Sequence, residues 1–344
     1  MPIRFASADE VSRWNDLIIT NPDGGNVFSS YEFAIQKETG GYKAHFLMAD
    51  DLAITALEKS APGLGKFWYL PKGPNITSDK ALFSVLKNLG PFAKRQGVFA
   101  IRTEPELNRS LQPSLQDHGM FKARPIIPNP STITLDITPG LDTILTNLPQ
   151  KGRYAIKRAE REGAQVKLVK STDDNCRIMY KLLADTAEGQ FGIRSFKYFQ
   201  AFWQRFETAG SGQLFFAYYD DQVVAGAYAM VYGKKSTYKD GASIRKRTVY
   251  GASHLLQWEV VKWAKSHGAT LHDFCGSPPS DEIDNPDHKL HGVGLFKTGF
   301  SKNVVDYVGC YDFVISPTKY KIWIKFAEKV AHRIHYYRHH DSYY

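Results

Sequence analysis

Helix-like and strand-like segments alternate along the chain, and this alternation occurs twice. In the first half, an amphipathic segment at residues 79–96 is followed by an apolar run at 99–103, which predicts a helix and then a buried strand. In the second half, the apolar runs 214–219 and 223–232 flank Asp220-Asp221 and predict a hairpin. Strands joined by tight turns pair antiparallel, and strands joined through a helix commonly pair parallel. The pattern therefore predicts two successive α/β halves with mixed sheets.

The chain is long enough, and apolar enough, for this architecture. Its 344 residues suggest two domains at roughly 150 residues each. Apolar residues make up 43% of the sequence, which excludes disorder as a description of the whole. Ser7 and Glu10 form a capping-box pattern, which predicts a helix at residues 7–20.

Cysteine spacing and hydropathy indicate the cellular compartment of the protein. The three cysteines, Cys176, Cys275 and Cys310, are too far apart to form a disulfide framework or a metal knuckle, which fits a reducing compartment. The first residues contain no apolar run of the kind found in signal peptides. The most apolar stretch, 223–232, has about half the length of a membrane span. We therefore expect a soluble, cytoplasmic protein.

The positive charge of the chain is concentrated in two segments. The net charge is +9, and residues 151–170 carry seven basic side chains against two acidic ones. Residues 316–344 carry six against two, so that the two segments together account for the whole net charge. Such a distribution favours a polyanionic partner, although two solvated helix faces would give the same pattern.

Four segments, in this order, resemble motifs of the Fem family, whose members build peptidoglycan cross-bridges from aminoacyl-tRNA. They are Tyr69-Leu-Pro-Lys-Gly-Pro74, the basic segment 148–163, Leu271-His-Asp-Phe-Cys-Gly276 and Gly294-Leu-Phe-Lys-Thr-Gly-Phe300. The third resembles the family's "YDFGG" strand end and the fourth its "GLYxFKxGF" segment. Each motif alone is weak, but their order over about 230 residues makes chance a poor explanation.

The resemblance implies a fold. It is α/β (α+β), with two tandem acetyltransferase-like (GNAT-like) domains, mixed sheets and a C-terminal helix packed on the first domain. The domain boundaries expected from it are residues 1–138, completed by 316–344, for the precursor-binding domain, and 139–315 for the tRNA side. Between Cys176 and Gly210 there is no room for the long helical arm of some members, so the similarity is greatest to the short FemX-type enzymes.

The resemblance also implies a reaction, the aminolysis of an aminoacyl ester by an amine of the peptidoglycan stem peptide. Lys297 and Phe296 match the pair that lies by the tRNA acceptor end, with the lysine facing the developing oxyanion or a terminal phosphate. Glu104 stands where the family has an acidic residue that accepts or orients the amine proton. Glu104 could instead be an ion-pair partner of Arg102 or Lys72, and Lys297 could be a surface lysine.

Further positions match substrate-binding residues of the family. Lys37, Lys72 and Arg194 correspond to cations that bind the precursor, and Tyr198 follows Arg194 at the family spacing. In the basic segment, Arg153, Lys157 and Arg161 recur every four residues on one helical face, with Arg158 beside them. We expect this face to contact the tRNA backbone.

The C-terminal segment allows two interpretations. Residues 320–337 predict an amphipathic helix, and its expected apolar face consists of Trp323, Phe326, Ala327, Val330, Ile334 and Tyr337. Such a helix packs on a core, or it makes peripheral contact with the inner face of the membrane during work on a lipid-linked precursor. Its histidines lack acidic or cysteine partners, so we expect no metal, and the family resemblance implies no cofactor.

The sequence thus predicts an aminoacyl-tRNA-dependent transferase that acts on a peptidoglycan precursor, UDP-MurNAc-pentapeptide or lipid II. Two alternatives remain at this point. One is a GNAT-type N-acyltransferase that uses acyl-CoA, although no clear glycine-rich pyrophosphate turn is present. The other is a non-catalytic tRNA-binding protein. The sequence does not give the amino acid transferred, the form of the precursor or the oligomeric state.

Overall fold

The computed structural model describes residues 2–127, 130–187, 192–244, 249–339 and 343–344. The chain forms two compact units, which are described separately. Unit 1 consists of Met1–Pro130 together with Asp306–Tyr344, and unit 2 consists of Ser131–Val305.

Unit 1 is built on a seven-stranded mixed sheet with the order β1-β2-β3-β4-β5-β14-β6. Its strands are β1 (Ile3–Phe5), β2 (Lys43–Ala49), β3 (Leu52–Ala61), β4 (Gly65–Leu70), β5 (Val98–Thr103), β6 (Phe121–Lys122) and β14 (Tyr311–Val314). All neighbours pair antiparallel except β4 and β5, which are parallel because a long helix connects them.

The helices of unit 1 cover the two faces of this sheet and complete its core. They are α1 (Ala8–Ser12), α2 (Trp14–Ile19), α3 (Tyr31–Glu38), α4 (Asp79–Arg95), α5 (Gln112–Asp117), α12 (Pro317–Ile322) and α13 (Glu328–His339). The capping box at Ser7 and Glu10 is present. The single helix expected at residues 7–20 is wrong in one respect, because Arg13 ends α1 and α2 begins immediately after it.

Unit 2 contains a second seven-stranded mixed sheet, with the order β13-β7-β12-β11-β10-β9-β8. Its strands are β7 (Ser131–Asp136), β8 (Gln165–Val169), β9 (Gly212–Tyr219), β10 (Gln222–Tyr232), β11 (Lys235–Ser243), β12 (Leu271–Gly276) and β13 (Val304–Asp306). Its helices are α6 (Leu141–Asn147), α7 (Gln150–Arg161), α8 (Asp173–Ala187), α9 (Phe196–Thr208), α10 (Ala252–Ser266) and α11 (His291–Lys297).

The two sheets have the same pairing pattern. In each, four consecutive strands pair antiparallel, a helix crosses to a parallel fifth strand, and a further strand pairs antiparallel with that fifth strand. The crossover helices are α4 in unit 1 and α10 in unit 2. The predicted mixed sheets and α/β class are confirmed, and the described part of unit 2 contains no long helical arm.

The C-terminal helical segment packs on unit 1, as predicted, but the expected apolar face is wrong. Trp323 is buried against the rings of Phe67 and Phe99. Phe326 is 67% exposed, and Val330, Ile334 and Tyr337 are exposed as well. The reason is a π-helical turn over Trp323–Ala327, which inserts one extra residue and brings Ala327 toward the body in place of Phe326.

None of the helices in the described ranges combines the length and the apolar character that crossing a bilayer requires.

Candidate functional site

In unit 2, Lys297 lies at the end of α11 with its ammonium group at the end of strand β12. Its Nζ donates hydrogen bonds to the carbonyl oxygens of Cys275 (2.8 Å) and Gly276 (2.7 Å). The side chain is buried, with only 7% of its surface exposed. The two carbonyls therefore accept two of the three ammonium hydrogens, which leaves one hydrogen that neither carbonyl accepts.

The backbone at the end of β12 positions these two carbonyl oxygens, which together form the carbonyl cradle of Lys297. Cys275 has a φ of +58°, in the left-handed region, at the position where the resembled motif has glycine. Asp273 fixes the bend, because its Oδ1 accepts a hydrogen bond from the Cys275 N–H (2.7 Å) and another from the Thr132 hydroxyl. The bend coincides with a register shift between β12 and β7. It brings both carbonyls onto Lys297.

Burial changes the acid–base properties of this group. It lowers the pKa of Lys297 to about 8, and the nearby Cys275 and Asp273 oppose the shift. At neutral pH the side chain is still mostly an ammonium, but one that is poorly solvated. A poorly solvated cation interacts strongly with any negative charge that develops next to it.

Beneath Lys297 lies a fully buried polar group that sequence reasoning missed. His272 has Nδ1 2.6 Å from the Ser236 hydroxyl and Nε2 2.7 Å from the Gln257 amide. Burial, reinforced by the charge of Lys297, lowers the pKa of His272 to about 3, so this ring is neutral. All three side chains are shielded from solvent, so they support the site and do not contact substrate.

Phe296, the neighbour of Lys297, belongs to an aromatic cluster. Its ring centroid is 4.8 Å from that of His254 and 5.6 Å from that of Phe300. Phe274 packs on Phe300 from β12. The cluster holds α11 against the core of unit 2 and so positions Lys297.

The basic helix α7 also belongs to unit 2, and it has an open groove on one side. The groove has a volume of about 520 Å³ and is lined by Gln150, Lys151, Arg153, Tyr154 and Lys157. The structure thus brings two of the predicted tRNA-binding residues, Arg153 and Lys157, to one surface. Lys157 and Arg161 are exposed.

Two of the predicted cations on α7 have partners within unit 2. Arg153 donates from Nη1 to the carbonyl oxygens of Thr146 and Leu148, which ties α7 to the end of α6. Arg158 forms an ion pair with Glu162 (2.5 Å) and lies over the Tyr250 ring at 4.7 Å.

Close backbone contacts at two glycines fix the position of α7. A Cβ at Gly152 would lie 1.8 Å from the carbonyl oxygen of Gly299, two residues after Lys297. A Cβ at Gly251, which has a φ of +80°, would lie 2.2 Å from the carbonyl oxygen of Ala155. The helix that carries the basic face and the segment that carries Lys297 are therefore in direct backbone contact.

In unit 1, Glu104 follows strand β5 and is buried. Its carboxylate accepts hydrogen bonds from the N–H of Ile126 (2.5 Å) and of Ile127 (3.2 Å), and from the Tyr69 hydroxyl (2.7 Å). Three donors fix the orientation of the carboxylate. Arg102, which we considered as its partner, instead forms an ion pair with Asp312 at 2.8 Å.

Glu104 and Lys72 line the same small cavity, together with Tyr307 and several proline residues. Lys72 has a φ of +53° in the turn after β4, and its Nζ lies 5.3 Å from the centre of the Tyr307 ring. The structure therefore brings the acidic candidate Glu104 and the basic candidate Lys72 to the wall of the same cavity.

The other substrate-binding candidates are not among the residues that line this cavity. Lys37 is buried on α3, with its Nζ 5.1 Å from the Tyr42 ring. Arg194 and Tyr198 belong to unit 2, at the start of α9, and the guanidinium lies 4.6 Å from the Tyr198 ring. Lys37 and Lys72 thus belong to one unit, and Arg194 and Tyr198 to the other.

Within the described ranges, no group of three or more His, Cys, Asp or Glu side chains is arranged to bind a metal ion. His339 and His340, which belong to the C-terminal histidine group, have side chains outside the described part of the structure.

Known proteins resemble this chain in sequence and in fold. A model of the acetyltransferase (GNAT) domain family matches residues 150–289. Lipid II:glycine glycyltransferase of Staphylococcus epidermidis is 32% identical over 111 residues, which cover 32% of this chain and 25% of that protein. The crystal structure of FemX superposes with a TM-score of 0.79 at 17% identity, covering 95% of this chain and 100% of that one.

The chain shares the fold of FemX, and the sequence match to the glycyltransferase supports the resemblance to the Fem family. The sequence match spans only about a quarter of the length of the curated relative. A more distant fold neighbour is the C-terminal domain of a putative lysylphosphatidylglycerol synthetase from Agrobacterium fabrum, with a TM-score of 0.54 at 13% identity, covering 94% of this chain and 98% of that one.

One signal was available in the sequence and was not used. Arg102 interrupts the apolar run of β5, and a charged residue in a buried strand needs a buried partner. The structure supplies Asp312 and Glu328, both from the C-terminal part of unit 1. The carbonyl cradle of Lys297 had no comparable signal, because backbone oxygens leave no trace in a sequence.

Proposed function

We propose that the protein is a non-ribosomal aminoacyltransferase of cell-wall biogenesis. It moves an amino acid from aminoacyl-tRNA to the stem peptide of a peptidoglycan precursor, UDP-MurNAc-pentapeptide or lipid II, in interpeptide bridge synthesis. The observation that carries the proposal is the desolvated ammonium of Lys297, held by two carbonyls in a motif of the Fem family. The sequence similarity to a lipid II:glycine glycyltransferase supports the choice of acceptor.

The reaction needs no covalent enzyme intermediate. The amine nitrogen of the stem peptide attacks the ester carbonyl of the aminoacyl-tRNA, forming a C–N bond and a tetrahedral oxyanion. The C–O bond to the terminal ribose then breaks, the nitrogen loses a proton and the ribose oxygen gains one. Because the ester is already activated, positioning and charge stabilisation supply most of the rate gain.

Lys297 takes the electrostatic role in this scheme. Its third ammonium hydrogen donates to the oxyanion as negative charge develops on the carbonyl oxygen. The two carbonyl contacts hold the ammonium in place, so little reorganisation accompanies the reaction.

The other candidates bind and orient the substrates. Glu104, held by three donors, presents a fixed carboxylate toward the cavity that it shares with Lys72, where it orients the attacking ammonium and accepts its proton. Lys37, Lys72 and Arg194, with Tyr198, bind the anionic and polar parts of the precursor. The α7 groove contacts the tRNA backbone. Since charged tRNA is the donor, we place the reaction in the cytoplasm.

A transfer assay tests the proposal. The purified protein is offered a full set of charged tRNAs with each precursor form, and the product is identified by its mass. We expect the mass increase of one aminoacyl residue on the stem peptide. Lys297→Met is expected to lower kcat about 100-fold or more. Lys302→Met, which replaces an exposed lysine five residues away, is expected to leave kcat unchanged.

A second candidate function is supported by the match of unit 2 to the acetyltransferase (GNAT) family. It is N-acyl transfer from acyl-CoA. Tight binding of acyl-CoA, with transfer from it and none from charged tRNA, would favour this alternative. Binding of tRNA regardless of charging, with no transfer to any acceptor, would instead indicate a non-catalytic tRNA-binding protein.

A further inference from the structure

The C-terminal helical segment presents two parallel rows of side chains to solvent. The apolar row consists of Ile322, Phe326, Val330 and Ile334, and the basic row consists of Lys321, Lys325, Lys329 and Arg333. All eight side chains are exposed. Residues four apart stay on one side of a helix, and a shift by one residue rotates the direction by about 100°. The two rows therefore run side by side along the segment.

The opposite side of the same segment is fixed to unit 1. Tyr320 and Trp323 are buried, and the Tyr320 hydroxyl donates to Asp312 at 2.9 Å. Glu328 also faces inward, where it accepts hydrogen bonds from Arg102 (3.2 Å) and from the Tyr344 hydroxyl (2.6 Å). The packing that buries this side leaves the two rows uncovered.

The inward position of Glu328 decides the charge of the outer face. Glu328 is the only acidic residue between Pro317 and His339, whereas six basic residues occur there. The outer face therefore carries cations and no carboxylate over the whole length of α12, the π-helical turn and the described side chains of α13. Tyr336 and Tyr337, 59% and 72% exposed, extend it with aromatic side chains that suit a membrane interface.

We propose that this outer face docks on an anionic lipid bilayer, with the helical segment lying in the plane of the interface. The apolar row enters the headgroup–acyl boundary, and the basic row contacts lipid phosphates. A nucleic acid would satisfy the cations but would leave Phe326 and Ile334 in water. A bilayer satisfies both rows, because long basic side chains reach the headgroups while their neighbours are buried.

A consequence for the substrate rests on the proposed function. If the protein transfers an aminoacyl group to a peptidoglycan precursor, docking on the bilayer selects the lipid-linked form as the acceptor. The docking inference itself does not depend on the transfer reaction.

Co-sedimentation of the full chain with lipid vesicles tests the inference. Vesicles of equal parts phosphatidylglycerol and phosphatidylcholine are compared with vesicles of phosphatidylcholine alone. We expect binding to the anionic vesicles that weakens as salt rises, and little binding to the neutral ones. This comparison uses the unaltered protein, so it does not depend on any variant folding.

Paired variants locate the contact. Lys325→Gln with Lys329→Gln is expected to weaken vesicle binding about 25-fold, since each cation contributes about fivefold. Phe326→Ser with Ile334→Ser is expected to weaken it about tenfold or more. The matched control is Lys87→Gln with Lys94→Gln, which removes two exposed cations from α4 of the same unit and is expected to have little effect. Melting temperatures establish that each variant is folded.

Several outcomes would overturn the inference. These are no binding to anionic vesicles, equal loss in the α4 control, or a stable dimer in solution that Phe326→Ser dissociates while vesicles are not bound. Vesicle binding without any transfer activity would leave the inference standing and refute the proposed function. Transfer to a vesicle-borne acceptor by a chain that does not bind vesicles would refute the docking inference and leave the proposed function standing.

Discussion

Lys297 carries a positive charge where burial disfavours it. The two carbonyl oxygens compensate only in part, and the pKa of the side chain falls from 10.5 to about 8. Between these two values the unfolded chain binds more protons at this residue than the folded chain, so folding stability rises with pH across that window. Under the proposed mechanism we expect activity to have the opposite pH dependence, because only the ammonium form donates to an oxyanion.

The first prediction concerns the opposite pH dependences of stability and activity. Between about pH 7 and pH 9.5, wild-type stability to urea is expected to rise by about 2 kcal/mol relative to Lys297→Met, in which the titrating group is absent. The wild-type transfer rate is expected to fall above about pH 8. Equal pH dependence of stability in the two proteins would contradict the assignment of the shifted pKa to Lys297.

The second prediction concerns Cys275, which has a left-handed backbone conformation that costs a non-glycine residue roughly 1–2 kcal/mol. Cys275→Gly is expected to increase the free energy of unfolding by about 1 kcal/mol, because part of the relief is offset by the greater freedom of glycine in the unfolded chain. Cys275→Ala keeps the Cβ and should show no such gain. If both variants are equally stabilised, loss of the thiol is the cause and not relief of the backbone.

At this scale the sequence predicts candidate residues but not their surroundings. Lys297 and Phe296 are candidates because they stand in a motif, and Glu104 because it stands where the resembled family has an acidic residue. What holds them was not predictable: the cradle of Lys297 depends on the φ of Cys275, and the donors to Glu104 are backbone groups of Ile126 and Ile127.

Helix α7 links the basic groove to Lys297 at the scale of elements. Its side chains line the groove, and its Gly152 touches the carbonyl of Gly299, just after α11. A side chain at this point cannot be accommodated by rotating a neighbour, because the obstacle is backbone. The two elements must therefore separate if Gly152 gains a Cβ.

The third prediction follows from this contact. Gly152→Ala is expected to destabilise the chain by about 3 kcal/mol and to lower the transfer rate, since α11 must shift. The control is Gly140→Ala, at the start of α6, where no atom lies within 4 Å of the added Cβ. Urea denaturation measures both variants. If Gly152→Ala and Gly140→Ala are equally stable, the backbone contact between Gly152 and Gly299 relaxes without loss of stability.

Elements with strong local patterns were predicted well, and others were not. The helix expected at residues 79–96 is α4 (Asp79–Arg95), and the hairpin at Asp220-Asp221 is present in unit 2. The π-helical turn Trp323–Ala327 was missed, because a single extra residue in a helical repeat is invisible to a periodic pattern. Strand β14 was missed as well, since four residues carry little signal.

The location of β14 matters at the scale of the whole molecule. It pairs with β5, whose residues lie about 210 positions earlier in the sequence. The sheet of unit 1 is therefore complete only when the residues that follow unit 2 have been added. Unit 2, in contrast, is continuous in sequence. The buried pair of Arg102 and Asp312 connects the two parts of unit 1, and Trp323 covers the rings of Phe67 and Phe99.

The last prediction tests whether the two units depend differently on the C-terminal part of unit 1, which is removed by truncation after Asp306. The shortened chain loses the β14 ladder and Trp323, and it leaves the guanidinium of Arg102 buried without Asp312, which alone costs about 3–5 kcal/mol. Hydrogen exchange read by mass spectrometry is expected to show loss of amide protection in β4 and β5. Protection in β10 and β12 is expected to persist, because every strand of that sheet remains.

A point substitution in the full chain serves as the control for this truncation. Arg102→Met removes the buried charge but keeps β14 and Trp323, so protection in β5 should weaken and not vanish, while the β10 and β12 amides stay unchanged. Full protection of β5 in the truncated chain would mean that residues 1–130 form a stable unit without β14. Loss of protection in β10 would mean that unit 2, although continuous in sequence, does not fold independently of the C-terminal segment.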